Sequence, residues 1–272
     1  MRNAPTEEAP PSSFDVRTDG CAWRLPPDES CAPVARSLAK RTLVPLGLPG
    51  DLVYDAATAV SELATNALQH GLRAGGRVAD DAGCPPELWI HYRIHPERQL
   101  VLRVFDPGRA WRLAVRPGGG AGAGRDAESG RGLDIVNALF GEWFAELTRA
   151  RLGPVPMPGK AVGFCVPAIG LTGPPRPHPH VTADRAAGEL HGRLVSRGID
   201  GVHTVSGAGM AVVFVRPGLT VYCHPEAFRW KDRTGADIRR PHADVLDVTE
   251  AVLARHEELD VLPPADRRSP PD

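Results

Sequence analysis

Apolar residues recur at intervals of three and four positions over two stretches near the start of the chain, and this spacing predicts two helices. The first helix is expected over residues 30–46 and the second over 51–70. Asp51 is the expected N-cap of the second helix, and Gly71 is expected directly after its end. The apolar positions of the second helix share one side, which should face the core: Val53, Ala57, Val60, Ala64 and Ala67.

Further along the chain, apolar and polar positions alternate, as in β-strands whose two faces differ. Strands are expected over 87–94, 99–105, 142–149 and 161–167, with a short helix over 133–140 before the last two strands. Helices and strands in this mixture predict an α/β fold for this part of the chain.

Asp106 directly follows the second of these strands and keeps the parity of the apolar residues Leu102 and Val104. Its carboxylate should therefore point towards the apolar side, where an unpaired charge costs free energy. An acid in such a position usually has a specific partner. The competing interpretation is a strand-end turn residue, which favours the following Pro107 and Gly108.

Composition divides the chain into two folded domains. Disordered tails are expected over 1–15 and 261–272, and a proline-rich linker over 170–182. The first domain, 16–169, carries the helices and strands described above. The second, 183–260, is expected to be a small α+β domain with one helix, three short strands and a final helix.

Overall composition excludes several classes of protein. The 272 residues carry a net charge of −1, which argues against direct binding to nucleic acid. The 5 cysteines are scattered and form no CxxC pair, which fits a reducing compartment and no zinc site. No secretory signal is visible, and no apolar run approaches the ~20 residues of a membrane span. These features predict a cytoplasmic protein with no membrane partner.

Glu62 and Asn66 are the first residues that suggest chemistry. They lie four positions apart on the second predicted helix and so share one face. An amide beside a carboxylate suits a site in which the amide holds a metal ion and the acid steers a hydroxyl group. Solvated polar residues on a helix produce the same pattern, so the pair alone leaves both interpretations open.

A glycine-rich segment around Gly130 and Gly132 opens the short helix predicted over 133–140. Glycines at the start of a helix allow backbone amides to meet phosphate groups. A different segment, over 153–161, superficially suggests a phosphate-binding loop, but it has the wrong spacing, and its prolines lack the N–H groups that would bind phosphate. The segment over 153–161 is therefore predicted to be a hairpin turn.

Three sequence segments together resemble the GHKL family of ATP-binding domains, which includes gyrase B, histidine kinases and MutL. They are ELATNALQHG at 62–71, DPG at 106–108 and GRGLDIV at 130–136. The chain is most similar to the anti-sigma-factor serine kinase branch and to actinobacterial ATP-binding regulatory proteins, over about residues 20–168. The resemblance implies the Bergerat fold, a two-layer α/β sandwich with a mixed sheet and helices on one face.

The resemblance also implies roles for individual residues. Asn66 would ligate the Mg²⁺ that bridges the phosphates of ATP, and Glu62 would polarise the attacking hydroxyl group. Asp106 would accept a hydrogen bond from the adenine amino group, and Gly108 would let the base approach closely. The phosphates would be wrapped by Gly130, Arg131, Gly132 and Leu133. Residues 109–129 would form a lid over ATP.

The chain departs from this pattern in two respects. Related histidine kinases often carry lysine three residues after the magnesium-binding asparagine, where this chain has Gln69. Arg131 and Lys160 are the candidates for the missing positive charge, although Lys160 can also be interpreted as a solvated turn residue. No helix with a phosphoacceptor histidine precedes the ATP-binding segments, which argues against a histidine kinase.

The function implied by the resemblance is transcription regulation by a serine/threonine kinase that uses ATP and Mg²⁺. Its substrate would be an anti-sigma-factor antagonist, a sigma factor would be the second partner, and a homodimer would fit the same pattern. An alternative from another class is a non-catalytic protein-binding module that is gated by a nucleotide. A slow ATPase without a protein acceptor is a third interpretation.

Overall fold

A computed structural model describes residues 16, 20–72, 84–108, 131–153, 155–169, 171 and 181–261. Within these ranges the chain is α/β and forms two antiparallel sheets and five α-helices. The described residues up to 171 are called the first unit below, and residues 181–261 the second unit. No helix in the described ranges is both long and apolar enough to cross a membrane.

The first unit is built on a five-stranded sheet with the order β1-β2-β3-β5-β4. Its strands are β1 (Cys21–Arg24), β2 (Glu87–Arg93), β3 (Gln99–Asp106), β4 (Trp143–Arg149) and β5 (Pro158–Pro167). All neighbouring strands are antiparallel, so the expectation of a mixed sheet was wrong in this detail. Short connections explain two of the four pairs, because the hairpins β2–β3 and β4–β5 leave no room for the long crossover that parallel strands need.

Three helices lie on one face of this sheet: α1 (Cys31–Leu43), α2 (Gly50–Asn66) and α3 (Arg131–Phe140). The strands contact α2 and α3, whereas α1 packs against α2 and contributes to the same core. The apolar side predicted for the second helix is buried in α2 and in the residue that follows it, as expected. These side chains pack against the sheet residues Leu100, Leu102 and Val104. The sandwich of helices and sheet predicted for this part of the chain is therefore present.

The two ends of α2 differ from their prediction. Pro49 is the N-cap, and Asp51 lies in the first turn, where its Oδ1 accepts a hydrogen bond from the backbone N–H of Leu52 at 2.9 Å. At the other end, α2 ends at Asn66, and the π-helix Ala67–Leu72 continues it past the predicted end at residue 70. Wider helical turns of this kind are frequent at functional sites.

The second unit contains a separate antiparallel sheet with the order β10-β9-β8-β7-β6. Its elements are α4 (Ala183–Ser196), β6 (His203–Gly207), β7 (Met210–Arg216), β8 (Leu219–Cys223), β9 (Ala227–Lys231), β10 (Asp237–Pro241) and α5 (Val245–Val261). Two of these strands, β9 and β10, were not predicted. The turn between β7 and β8 places Gly218 at a φ of 83°, a conformation that favours glycine.

The second face of the first sheet is covered by α5 of the second unit, which packs against β4 and β2. Trp89 and Phe105 stack on this face with ring centroids 5.5 Å apart and are fully buried. The helices α1, α2 and α3 thus form one layer, and α5 adds a layer on the opposite side.

Glu250 on α5 is the centre of a buried ionic network between the two units. Its carboxylate accepts hydrogen bonds from Thr148 Oγ1 at 2.8 Å, Arg151 Nη2 at 2.8 Å and Arg197 Nη1 at 2.7 Å. Burial alone would raise the pKa of Glu250, but the guanidinium groups of Arg197, Arg151 and Arg103 outweigh it and hold the pKa well below its usual range. The carboxylate is therefore ionised in the interior of the protein.

Arg103 on β3 extends this network along the same face. It donates to Glu146 at 2.8 Å and to Asp247 of α5 at 3.4 Å, and its side chain is almost completely buried. Because buried charges are tolerated only when they are paired, the network fixes the position of α5 against the sheet.

Candidate functional site

Glu62 and Asn66 project from the last two turns of α2 towards the start of α3. A methyl group at Gly132 would lie 3.2 Å from Asn66 Nδ2 and 3.3 Å from Glu62 Oε2, so both side chains rest against the backbone of α3. Both are half-buried. The structure therefore brings the acid and the amide of one sequence segment together with a glycine of another segment.

The start of α3 adds an electrostatic component to this site. The first amide groups of a helix have no partner inside the helix, and they give its N-terminus a partial positive charge. Arg131 is exposed there, whereas the half-buried Leu133 packs against the core of the first unit. Gly130 and the lid predicted over 109–129 lie outside the described residues.

Asp106 lies at the end of β3 and is buried, with 2% of its surface exposed. Its Oδ1 accepts a hydrogen bond from the backbone N–H of Gly108 at 2.9 Å and pairs with Lys160 Nζ at 2.8 Å. The partner predicted for a buried acid at this position therefore exists. Lys160 is not a solvated turn residue, because β5 already begins at Pro158.

Both parts of the site lie on the same side of the sheet. Asp106 shares its face of β3 with Val104, and Lys160 shares its face of β5 with Val162, which packs against the helix-side core. Both strands contact α2, and the π-helix Ala67–Leu72 contacts β3. The helix-covered face thus offers a carboxylate and an ammonium group in one place, and a carboxylate, an amide and a helix N-terminus in another.

Two further features of the structure lie away from this site. A cavity of about 450 Å³ opens between residues that include Leu52, Arg93, Gln99, Trp143 and Pro167. Gln99 begins β3 and Pro167 ends β5, so the cavity lies at the opposite ends of these strands from Asp106 and Lys160. It holds none of the residues predicted for the site.

A second feature is a cluster of His256, Glu257 and Asp260 on α5, whose potential ligand atoms lie within 4.8 Å of one another. Arg149 donates to Glu257 at 2.6 Å, and Arg216 forms an ion pair with Asp260. These guanidinium groups already neutralise the two carboxylates, so the cluster is a poor site for a cation.

Residues 25–152 match the family model of the histidine kinase-like ATPase domain. The matched range contains Glu62, Asn66, Asp106 and Gly132 and ends before β5, so it does not include Lys160. A comparison with curated proteins gives no match. Together with the α/β sandwich, the matched range supports a GHKL-type ATPase domain in the first unit.

Proposed function

We propose that the protein is a regulatory protein whose first unit binds ATP together with Mg²⁺. The observation that carries the proposal is the convergence of Glu62 and Asn66 on Gly132 at the start of α3. This convergence lies within the range that matches the histidine kinase-like ATPase domain, which supports ATP binding as the function of the site.

Each side chain of the site has a chemical role in this proposal. Asn66 offers an amide oxygen, a hard ligand of the kind that Mg²⁺ accepts. The N-terminus of α3 attracts the phosphates, and Asp106 accepts a hydrogen bond from the amino group of the base. ATP would supply the phosphoryl group, and Mg²⁺ held by Asn66 would neutralise part of the charge of the phosphates. Glu62 takes the proton of the attacking hydroxyl as the new P–O bond forms and ADP leaves.

We further propose that the hydroxyl belongs to a serine of an anti-sigma-factor antagonist, as the sequence resemblance implies. Phosphorylation adds roughly −1.5 to −2 of charge to such a serine and so weakens a protein interface around it. A sigma factor is the second partner in this scheme, since it would be held when the antagonist is released. The motif order and the half-buried position of Glu62 beside Asn66 support transfer.

A second candidate function, a nucleotide-gated binding module without transfer, is favoured by the outer face of the second sheet. Val205, Phe214 and Tyr222 are 69%, 39% and 46% exposed there. Val205 pairs across the strands with Val212, and Val212 pairs with Tyr222, so these three side chains form a row, with Phe214 two residues after Val212 on the same strand. Exposed apolar rows of this kind mark surfaces for protein partners.

Two variants test the roles of Asn66 and Glu62, and the wild-type protein distinguishes the two functions. Asn66→Ala should lose the gain in ATP affinity that Mg²⁺ provides, measured by calorimetry with and without the metal. Glu62→Gln should still bind Mg-ATP but transfer phosphate to a candidate antagonist about 10²–10⁴-fold more slowly in single-turnover assays. Glu97→Gln is the matched control, because Glu97 is exposed in the β2–β3 connection.

Each possible result tests one part of the proposal. An Asn66→Ala variant that keeps the full effect of Mg²⁺ excludes Asn66 as a metal ligand. Full transfer by Glu62→Gln excludes Glu62 as the base. If the wild-type protein transfers nothing but captures its partner only when ATP is present, the binding module is the correct function.

A further inference from the structure

Lys160 forms an ion pair with Asp106 directly across the β3–β5 ladder, where the two residues are register partners. Its ammonium group lies 2.8 Å from Asp106 Oδ1 and 3.1 Å from the carbonyl oxygen of Gly108. The side chain of Lys160 is 13% exposed and that of Asp106 is 3% exposed. The ammonium group is therefore held beside the carboxylate, and both groups are largely shielded from water.

The backbone next to Lys160 keeps the ion pair in position. Gly159 lies so close to β3 that a methyl group there would come within 2.6 Å of the ring of Phe105 and would also clash with the carbonyl oxygen of Asp106. Only a residue without a side chain permits this approach. The close packing of β5 against β3 at Gly159 therefore fixes the position of the neighbouring Lys160.

The hydrogen-bonding groups of the ion pair indicate which ligand groups it could bind. An ammonium group has three N–H donors and no acceptor, and an ionised carboxylate has only acceptors. Among the described residues, Lys160 Nζ has hydrogen bonds to Asp106 and Gly108, which leaves one N–H for a ligand. The pair thus presents an acceptor and a donor side by side on the helix-covered face of the sheet.

We propose that Lys160 is a second base-reading residue of the nucleotide site and selects a 6-aminopurine. In this arrangement, which rests on the proposed ATP binding, the 6-amino group donates to Asp106 and Lys160 Nζ donates to the ring nitrogen N1. A guanine in the same position would set O6 against the carboxylate and N1–H against the ammonium. Both contacts would be repulsive, so the pair also rejects guanine.

The test compares ATP with 1-deaza-ATP, in which a C–H group replaces the N1 acceptor, by calorimetry on the full chain with Mg²⁺. Wild-type protein should bind ATP about 10- to 100-fold more tightly than the analogue, as expected for a lost hydrogen bond to a charged group. Lys160→Met should lose this preference and should also discriminate less against GTP. Lys231→Met is the matched control, since Lys231 is an exposed lysine on a strand of the second sheet.

Equal binding of ATP and 1-deaza-ATP by the wild-type protein would overturn the proposal, and so would a preference that survives in Lys160→Met. Lys160 would then serve only as the counter-ion of Asp106. If Lys160→Met does not fold, the wild-type comparison decides alone, and Lys160→Arg should keep part of the preference because it keeps a donor. A wild-type protein that binds no nucleotide would instead reject the proposed ATP site, and this inference with it.

Discussion

At the scale of single residues, the site depends on a position that carries no side chain. Gly132 lies in the first turn of α3, and Asn66 and Glu62 occupy the space that a methyl group would need. The contacts of 3.2 and 3.3 Å would force both polar groups to move by a few tenths of an ångström. A metal ligand and a base tolerate such shifts poorly, because reactivity depends on their positions.

We therefore predict that Gly132→Ala lowers the rate of phosphoryl transfer, or Mg-ATP affinity if no transfer occurs, on the order of tenfold. The fold should not suffer, because alanine is a better helix former than glycine by about 1 kcal/mol. Gly188→Ala is the control: Gly188 is an exposed position within α4, and an added methyl group there meets nothing within 4 Å. Thermal unfolding and ATP calorimetry on both variants decide the matter. Wild-type activity in Gly132→Ala would contradict the prediction.

His91 determines how stability should respond to acid. The ring is fully buried on β2, and its Nε2 lies 3.7 Å from Asp247 Oδ1. Burial lowers the pKa of His91 to about 4 and outweighs the interaction with Asp247, which raises the pKa; the guanidinium groups of Arg103 and Arg151 lower it further. An unfolded histidine has a pKa of about 6.5, so the unfolded state binds more protons between these two values.

The free energy of unfolding should therefore fall as the pH drops from about 6.5 to about 4, by up to about 3 kcal/mol from His91. Urea titrations at several pH values measure this slope. His91→Gln should flatten it, whereas His203→Gln, at an exposed position on β6, should not. An unchanged slope in His91→Gln would show that other groups titrate in this range.

Asp247 extends the acid sensitivity to lower pH. Burial opposes its ionisation, but His91 and the guanidinium groups of Arg103 and Arg93 outweigh that effect and lower the pKa of Asp247 to about 2. Its contribution is complete above the unfolded value of about 3.9 and disappears as the pH falls towards 2. Both groups therefore lower the free energy of unfolding in acid.

At the scale of elements, the clearly periodic segments were predicted within a few residues. α1, α2, β2 and β3 follow strong apolar patterns, and the structure contains all four. β1 has only four residues, Cys21–Arg24, which is too short for a pattern to emerge. The antiparallel order of the sheet also escaped prediction, because it depends on hairpin geometry and not on the pattern of any single strand.

The placement of some of the candidate side chains was predictable to a similar extent. The four-residue spacing was enough to place Glu62 and Asn66 on the same face of one helix. The alternation along β3 was enough to predict that Asp106 faces the core. The partner of Asp106 was not predictable, since the register between β3 and β5, two strands that are not consecutive in the chain, places Lys160 opposite it. The acids of α5 resemble a solvated face in the sequence, and only the arginines of other elements explain why they are buried.

The docking of α5 on the first sheet gives a prediction at this scale. Glu250→Gln keeps the volume of the side chain but leaves Arg151 and Arg197 around a neutral amide. Breaking a buried ion pair from one side typically costs about 3–5 kcal/mol, so the free energy of unfolding should fall by that amount. Glu258→Gln is the control, because its pair with Arg255 at 3.3 Å is partly exposed and should matter by less than about 1 kcal/mol. Urea unfolding of both variants measures the difference, and equal losses would contradict the prediction.

At the scale of the whole molecule, contacts run from the second unit to the base end of the proposed nucleotide site. Arg197 follows α4 in the chain, and its guanidinium group lies over the ring of Trp89 at 5.0 Å. Trp89 stacks on Phe105, and Phe105 precedes Asp106 in β3. A ligand that stabilises the end of β3 should therefore also stabilise the contact with the second unit.

This coupling predicts a single thermal transition for the two units in the wild-type protein, followed by calorimetry. Mg-ATP at 100 times its dissociation constant should raise the stability of both units together, by about 2.7 kcal/mol. Arg197→Met removes hydrogen bonds to Glu250 and Thr148 and should separate the transition into two, of which Mg-ATP shifts only one.

Arg193→Met provides the matched control for this experiment. Arg193 lies one turn earlier, near the end of the same helix, and makes a surface pair with Glu189 at 2.9 Å, so its loss should leave one transition that responds fully to Mg-ATP. Two transitions in the wild-type protein would mean that the buried network joins the units without making them unfold together. If Arg197→Met shows a single thermal transition that Mg-ATP still shifts, the apolar contacts of α5 with the sheet, rather than Arg197, couple the two units.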